Sequence, residues 1–252
     1  MQDVWTESFV ATVTESDFAG RVRPSAILAA MQNAADRHLE DAGVPVTRLL
    51  ERGLAWVLMT AQIQLETTPR QGESLKLETW NAGASGVLWT RDYRLLRADG
   101  VEAMRASTAW TLVDIARRRI LRPSAFPFPL PVSSRASLSG SPEKVSIPDT
   151  GIEWSEPVAY TVPYSAVDCY GHMNNARYAD LCTDLMTPEQ LRHFDLASLR
   201  ITYSQEAAMG ERIQLRCGQQ GSQWFVFGQT EKGRKMFEAI STLRAKVNEH
   251  AE

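Results

Sequence analysis

The stretch SAVDCYGHMNNARYADL, residues 165–181, sets Asp168, Tyr170, Gly171, His172, Asn174 and Asn175 within eight consecutive positions. Immediately after it, Tyr178, Leu181, Cys182, Leu185 and Met186 recur at i, i+3, i+4, i+7 and i+8, the stripe of a helix with one apolar face. TPEQ at 187–190 reads as a capping box with Pro188 in the first turn, so a short second helix follows. The chain has only four histidines, and one stands in the glycine-containing loop that feeds a buried helix. A histidine so placed can meet a ligand and exchange protons near neutral pH.

Extended segments lie outward from this loop. PVAYTV precedes it, and LRITY, RIQLRC, WFVFGQ and AISTLRAKV follow. In the last of these Ala239, Ser241, Leu243, Ala245 and Val247 alternate with mainly polar neighbours, the period of a half-buried strand. The first half repeats the order. SFVATVT is extended, and the loop ESDFAGRVR leads into a helix over PSAILAAMQNAADRHLEDAG. Its apolar stripe is Ile27, Leu28, Met31, Ala35, His38, Leu39 and Ala42, with Pro24 in the first turn and Gly43 at the end. TAQIQLE, ESLKLETW, VLWTRDYRLL and RASTAWTLVD supply about four strands.

The halves also match residue by residue. Asp17, Gly20 and Arg21 fall where Asp168, Gly171 and His172 fall, an offset of 151 (168 − 17). Gly72-Glu73 corresponds to Gly210-Glu211, an offset of 138 (210 − 72), and Ser107-Thr108 is matched with Ser241-Thr242. Shared order and pattern make this a duplicated unit. Strands after a single helix indicate an α+β fold in each copy. The Ser-, Pro- and Gly-rich stretch between the copies reads as a linker.

With 252 residues, 44% of them hydrophobic, the chain can bury a sizeable core as one large or two small domains. A formal charge of −3 argues against bulk nucleic-acid binding. No apolar run reaches membrane-spanning length. The start, MQDVWTESF, lacks a charged-then-apolar signal layout, so a cytoplasmic protein is expected. Three cysteines without CxxC spacing point to neither a disulfide framework nor a zinc site. Without a phosphate loop, metal spacing or nucleotide fingerprint, no cofactor and no metal are expected.

DCYGHMNNARYADL resembles the Asp-x-x-x-His-x-Asn-Asn-x-x-Tyr signature of hotdog-fold thioesterases. GLAWVLMTAQIQLETTPRQGESLKLETW and MRASTAWTLVDIARRRILRP resemble first-domain segments of the acyl-acyl carrier protein thioesterases of plant plastids and bacteria. The resemblance spans nearly the whole chain. It implies a tandem hotdog, each half a long helix wrapped by an antiparallel sheet. The expected layout is an N-terminal hotdog at 1–132 on the acyl-chain side, a linker at 133–153, and a catalytic C-terminal hotdog at 154–252. It implies hydrolysis of acyl-acyl carrier protein thioesters, with acyl carrier protein as partner; pairing into a homodimer is left open. An acyl-CoA thioesterase and a non-catalytic acyl-binding hotdog protein are the alternatives.

Carried over by position, Asp168 and His172 are catalytic, and Glu206 in YSQEAAMG is the acid on the strand after the helix. The family usually has Asn two residues before the histidine, where this chain has Tyr170. Either another donor does that job, or the Tyr170 hydroxyl donates, or activity is weakened. Thioester hydrolysis needs an activated water or a carboxylate nucleophile, and donors for the developing oxyanion. The backbone N–H groups near Asn174–Ala176 are candidate donors. Asn174 and Asn175 bind substrate, or else cap the helix and fix the loop. The first half has Arg21 and Thr68 where the second has His172 and Glu206 (206 − 138 = 68), so one site is equipped. The unequipped half is free to hold the acyl chain, with Ile27, Leu28, Met31, Ala35 and Trp56 as candidate lining, or as ordinary core. The basic run Arg117, Arg118, Arg119 and Arg122 would steer an acidic partner, or is a solvated turn.

Overall fold

A computed structural model describes residues 2–246; the expectations on Val247 and His250 lie outside them. The chain forms two compact units, one running to Lys144 and the other starting at Val145.

In the first unit, β1 (Trp5–Val10) and α1 (Pro24–Asp41) are followed by the one-turn helix α2 (Val46–Leu50). Then come β2 (Leu54–Leu65), β3 (Ser74–Ser85), β4 (Leu88–Arg97), β5 (Glu102–Asp114) and the short β6 (Arg119–Leu121). The strands pair antiparallel in the order β1-β3-β4-β5-β2, with β6 added to β5. β1 stops at Val10, earlier than the alternation suggests. Glu15 reaches back to the Thr12 backbone N–H (2.8 Å) and hydroxyl (2.6 Å), which turns the chain into a single 3-10 turn. α1 ends where Gly43 takes φ +72°, a left-handed conformation that costs glycine little. Five residues are too few to carry a readable period, so α2 has no counterpart in the sequence reading. The apolar face of α1, including Ile27, Leu28, Met31 and Leu39, is buried, and the helix packs against β1 and β3. Leu77, Tyr93, Leu95 and Met104 share one face of the sheet and are buried, and Trp80 is buried on the opposite face.

In the second unit, β7 (Glu153–Trp154) and β8 (Val158–Thr161) precede α3 (Arg177–Asp184) and α4 (Pro188–His193). β9 (Phe194–Tyr203), β10 (Arg212–Gln220), β11 (Gln223–Thr230) and β12 (Lys235–Ala245) follow. β9, β12, β11 and β10 pair antiparallel in that order, and β7 and β8 both add to β10. The order β8-β10-β11-β12-β9 therefore repeats β1-β3-β4-β5-β2. The helix is shorter here, 8 residues against 18 in α1. Thr187 precedes Pro188, which disfavours helical geometry at Thr187, and it starts α4 instead by accepting the Gln190 N–H. Leu185 is left as the C-cap and Met186 lies beyond the helix. Tyr178 on α3 meets Tyr203 and Phe237 edge-on at 5.3 and 5.1 Å, and Trp224 donates its indole N–H to the Cys182 carbonyl.

The duplication is visible bond by bond. Arg21 bridges to Arg70 as His172 bridges to Ala208, and Ser16–Val22 matches Val167–Met173. Gly20 N–H donates to Asp17 O, and Gly171 N–H to Asp168 O, each at 3.0 Å. Gly72 reaches Ala11 O, as Gly210 reaches Val162 O. All of these keep the offsets 151 and 138. The Ser-Thr correspondence does not hold. Ile63 faces Ala106 and Ile201 faces Ala239, so Ser107 aligns with Ile240, and the two Ser-Thr pairs are one residue out of step. A slip of one swaps the faces of a strand.

The Ser-rich stretch after 132 has no regular secondary structure, yet its first part is tied to the first unit. Asp92 is fully buried and accepts from the Ser107 hydroxyl (2.6 Å), the Ser137 hydroxyl (2.8 Å) and the Leu138 N–H (2.8 Å). Arg135 pairs with Glu78 at 2.6 Å and lies 4.8 Å over the Trp80 ring. Serine hydroxyls and loop amides are the donors that a buried carboxylate needs, so a composition typical of linkers here makes a strap. Val145, at the start of the second unit, donates to the Thr202 hydroxyl. Among the described residues no helix is long and apolar enough to cross a membrane.

Asp92→Ala removes three hydrogen bonds, one of them from the buried Ser107 hydroxyl, so it should cost about 3 kcal/mol. Urea unfolding should show a lower midpoint, and the Leu138 amide should exchange faster with solvent.

Candidate active site

The loop from Val167 to Met173 is built on Asp168. One carboxylate oxygen accepts the Tyr170 N–H at 3.0 Å, and the other accepts the Asn174 side-chain amide at 3.1 Å. The Asp168 N–H closes the loop on the His172 carbonyl. Gly171 supplies the tight turn at φ +83°. Backbone pairing with Ala207 and Ala208 then pins His172 and Met173 to the segment just after β9. That segment carries Glu206. The result is a His172 Nε2 to Glu206 Oε2 distance of 3.4 Å, with both side chains reachable by solvent (41% and 63% exposed).

Of the two acids expected beside the imidazole, Glu206 is there and Asp168 is not. Asp168 braces the loop, each of its oxygens accepting one hydrogen bond from a loop donor. Asn174 is committed as well. Its amide holds Asp168, and its side-chain oxygen accepts the Ala176 N–H at 2.9 Å, capping the helix entry. Asn175 differs. Its carbonyl accepts the Tyr203 hydroxyl (3.1 Å), while its backbone N–H and side-chain amide form no hydrogen bond among the described residues. Of the backbone donors expected near the helix start, those of Asn174 and Ala176 are taken and that of Asn175 is open. The Tyr170 ring stands half-exposed beside the loop. Cys169 is exposed; Cys182 is buried, and burial pushes its thiol far up.

The sister loop shows what the same frame does without a histidine. Arg21 donates from Nε to Asp17 at 2.7 Å and pairs through Nη2 at 2.6 Å. Burial works against the Asp17 carboxylate, but hydrogen bonds from Arg21 prevail and hold its pKa below the ordinary value. The pair is closed on itself, and Thr68 carries no acid toward it.

The first unit instead contains a small cleft of about 50 Å³, part of it open to solvent. Its apolar wall is Ala35, Leu39, Trp56, Trp89, Trp110 and Leu130. Trp56 meets Trp89 edge-on at 5.3 Å and Phe126 at 5.3 Å. Of the expected chain-lining residues, Trp56 and Ala35 line the cleft; Met31, Ile27 and Leu28 are buried core outside it. Sequence reasoning missed the polar part, Asp36, Asn81, Thr90 and Arg91. Arg91 donates to His38 Nδ1 (3.1 Å) and the Thr79 hydroxyl (3.3 Å). A guanidinium only donates, so His38 Nδ1 accepts and Nε2 carries the proton, facing the Gln2 carbonyl at 2.8 Å. Burial holds His38 below its usual pKa. Asp36 lies one helical residue off the apolar stripe, a position that pattern reading assigns to solvent.

Burial raises the Asp36 carboxyl from 3.8 to about 6, against the pull of Arg91. Because the folded pKa exceeds the unfolded one, folding takes up a proton between these values. Stability is then full below pH 3.8 and falls as pH rises through about 6. Asp36→Asn should therefore stabilise the protein by about 2 kcal/mol at pH 7 and by little at pH 4. Thermal unfolding across that range reads the difference.

The chain matches two family profiles, the acyl-ACP thioesterase N-terminal domain over residues 2–124 and the acyl-ACP thioesterase C-terminal domain over 151–242. A chloroplastic acyl-[acyl-carrier-protein] hydrolase of Cuphea viscosissima is 24% identical over 190 residues, covering 70% of this chain and 45% of that protein. A chloroplastic dodecanoyl-[acyl-carrier-protein] hydrolase of Cinnamomum camphora is 22% identical over 217 residues, covering 77% and 55%. The chain thus spans about half the length of the curated relatives it matches. In fold it is similar to an acyl-ACP thioesterase from Bacteroides thetaiotaomicron (TM-score 0.87, 20% identity, 97% of this chain and 100% of that one). It is also similar to the 12:0-ACP thioesterase from Umbellularia californica (TM-score 0.81, 18% identity, 98% and 99%). With both domain profiles matched in order and each unit folded as a helix against an antiparallel sheet, the chain belongs to the acyl-ACP thioesterase family of hotdog proteins.

Proposed function

We propose that this protein hydrolyses acyl-acyl carrier protein thioesters, releasing a free fatty acid and the carrier thiol. The observation that carries this reading is the His172–Glu206 pair at 3.4 Å, formed only in the second unit and open to solvent. Hydrogen bonds of catalytic groups are often long in unliganded proteins and tighten on substrate. Glu206 takes the Nε2 side of the imidazole, which leaves Nδ1 as the basic nitrogen. That nitrogen removes a proton from water as the oxygen attacks the thioester carbonyl. The resulting tetrahedral oxyanion needs donors, and the N–H and side-chain amide of Asn175 are the open ones. Collapse breaks the C–S bond, and the imidazolium returns its proton to the departing sulfur. Asp168 and Asn174 are positioning residues for His172. Tyr170 borders the substrate's approach, in the place where the family usually has Asn. The first-unit cleft, with Trp56, receives the acyl chain.

Acyl carrier protein is the partner in this reading, and the exposed Arg117, Arg118, Arg119 and Arg122 around the β5–β6 turn suit an acidic one. A cytoplasmic site belongs to the same reading and is supported by three cysteines that remain free thiols.

His172→Ala should lower kcat/KM on acyl-carrier-protein thioesters at least a hundredfold with an unchanged circular dichroism spectrum, and Glu206→Gln should lower it at least tenfold. Unchanged hydrolysis in His172→Ala removes the site. A wild-type preference for CoA thioesters removes the carrier-protein substrate and leaves the chemistry.

A further inference from the structure

The cleft of the first unit is not a plain hydrocarbon slot. Asp36 and Arg91 both line it, close enough for the charge of one to act on the carboxyl of the other. No hydrogen bond or ion pair joins them among the described residues. Arg91 is fixed from behind through a single nitrogen, Nη1, by His38 and Thr79, in a fully buried setting. The Trp56 and Trp89 indole N–H groups in the same wall are buried and find no acceptor among the described residues.

An unbranched saturated chain would bury these groups and satisfy none of them, an arrangement that costs free energy at each polar atom. A carboxylate on the chain would meet Arg91 but face the negative Asp36. A keto oxygen accepts only, and would leave Asp36 without a donor. A hydroxyl both donates and accepts, and it carries no charge.

We propose that the first-unit cleft selects acyl chains bearing a hydroxyl group, which donates to the Asp36 carboxylate and accepts from the Arg91 guanidinium. The inference rests on the reading that this cleft receives the acyl chain. It also accounts for Asp36 itself, an acid that burial makes costly to keep ionised and that no protein donor relieves. Sites built around hydrogen bonds to a substrate hydroxyl reject the analogue that lacks it, because the site's own polar groups are then left unpaired.

The test uses the full chain and two readouts. The first is binding of a free hydroxy fatty acid and of the unsubstituted acid of equal length, followed by quenching of the cleft tryptophans. The wild type should bind the hydroxylated acid at least tenfold more tightly. In Asp36→Leu that ratio should fall below threefold, and in Asp36→Asn, the milder change should Asp36→Leu not fold, it should fall to an intermediate value. Equal binding of the two acids by the wild type, or a ratio unchanged in both variants, overturns the proposal. The second readout is kcat/KM on the matching hydroxyacyl and acyl carrier-protein thioesters. A hydroxyl preference in binding without turnover of either thioester sinks the hydrolase reading and upholds this one. Turnover of both with no preference in either readout sinks this one and upholds the hydrolase. Moving the hydroxyl along the chain then locates the Asp36–Arg91 end, as the position with the largest ratio.

Discussion

The Asp168 carboxylate decides the local geometry on which the site depends. Its two oxygens gather the Tyr170 N–H and the Asn174 amide, which folds the loop tightly enough to carry His172 to the backbone of Ala208. Only then does Glu206, two residues before Ala208, come within 3.4 Å of the imidazole. A carboxylate that accepts backbone and amide hydrogen bonds is a strong local organiser, because each bond is charge-assisted. Each oxygen accepts one of these bonds, and the acid paired with the imidazole is Glu206. Spacing makes Asp168 an obvious catalytic candidate; the hydrogen bonds make it the brace.

The sister loop keeps the brace and loses the chemistry. Asp17 folds its loop with the same backbone pattern, but the residue at the histidine position is Arg21, and the two side chains close on each other at 2.6 Å. A guanidinium locked to a carboxylate neither gives nor takes a proton near neutral pH. Duplication thus supplied two equal frames, and side chains at two positions separated their roles. The first unit spends its free volume on a tryptophan-walled cleft whose polar end, Asp36 and Arg91, is held apart rather than paired. Burying Asp36 with no protein donor among the described residues opposes stability.

Much of the fold was legible before any coordinate. The strands follow the alternations of TAQIQLE, RIQLRC and WFVFGQ, α1 lies between Pro24 and Gly43, and the offsets 151 and 138 survive as matched bridges. Two of the failures share one cause, namely dependence on a distant partner. The Ser-Thr match at 107 and 241 is undone by strand register, which neighbouring strands set. The linker-like serines became a strap because Asp92, far back in the chain, needed donors. The exception is local: the apolar stripe runs on to Met186, but α3 ends at Asp184, just before the Thr187-Pro188 start of α4 that the sequence marks.

The sequence alone determined the doubled α+β plan, the loop-to-helix signature and the asymmetry between its copies. These follow from local periodicity, turn chemistry and residue identity, which neighbours along the chain suffice to express. Only tertiary structure decided which acid faces His172, that Asn175 rather than Asn174 keeps open donors, and that Asp36 turns from an apparently solvated helix face into a cleft opposite Arg91. Each of these depends on which groups a side chain meets across the fold, and a hydrogen bond or an unmet charge is a property of the pair, not of either residue's place in the chain.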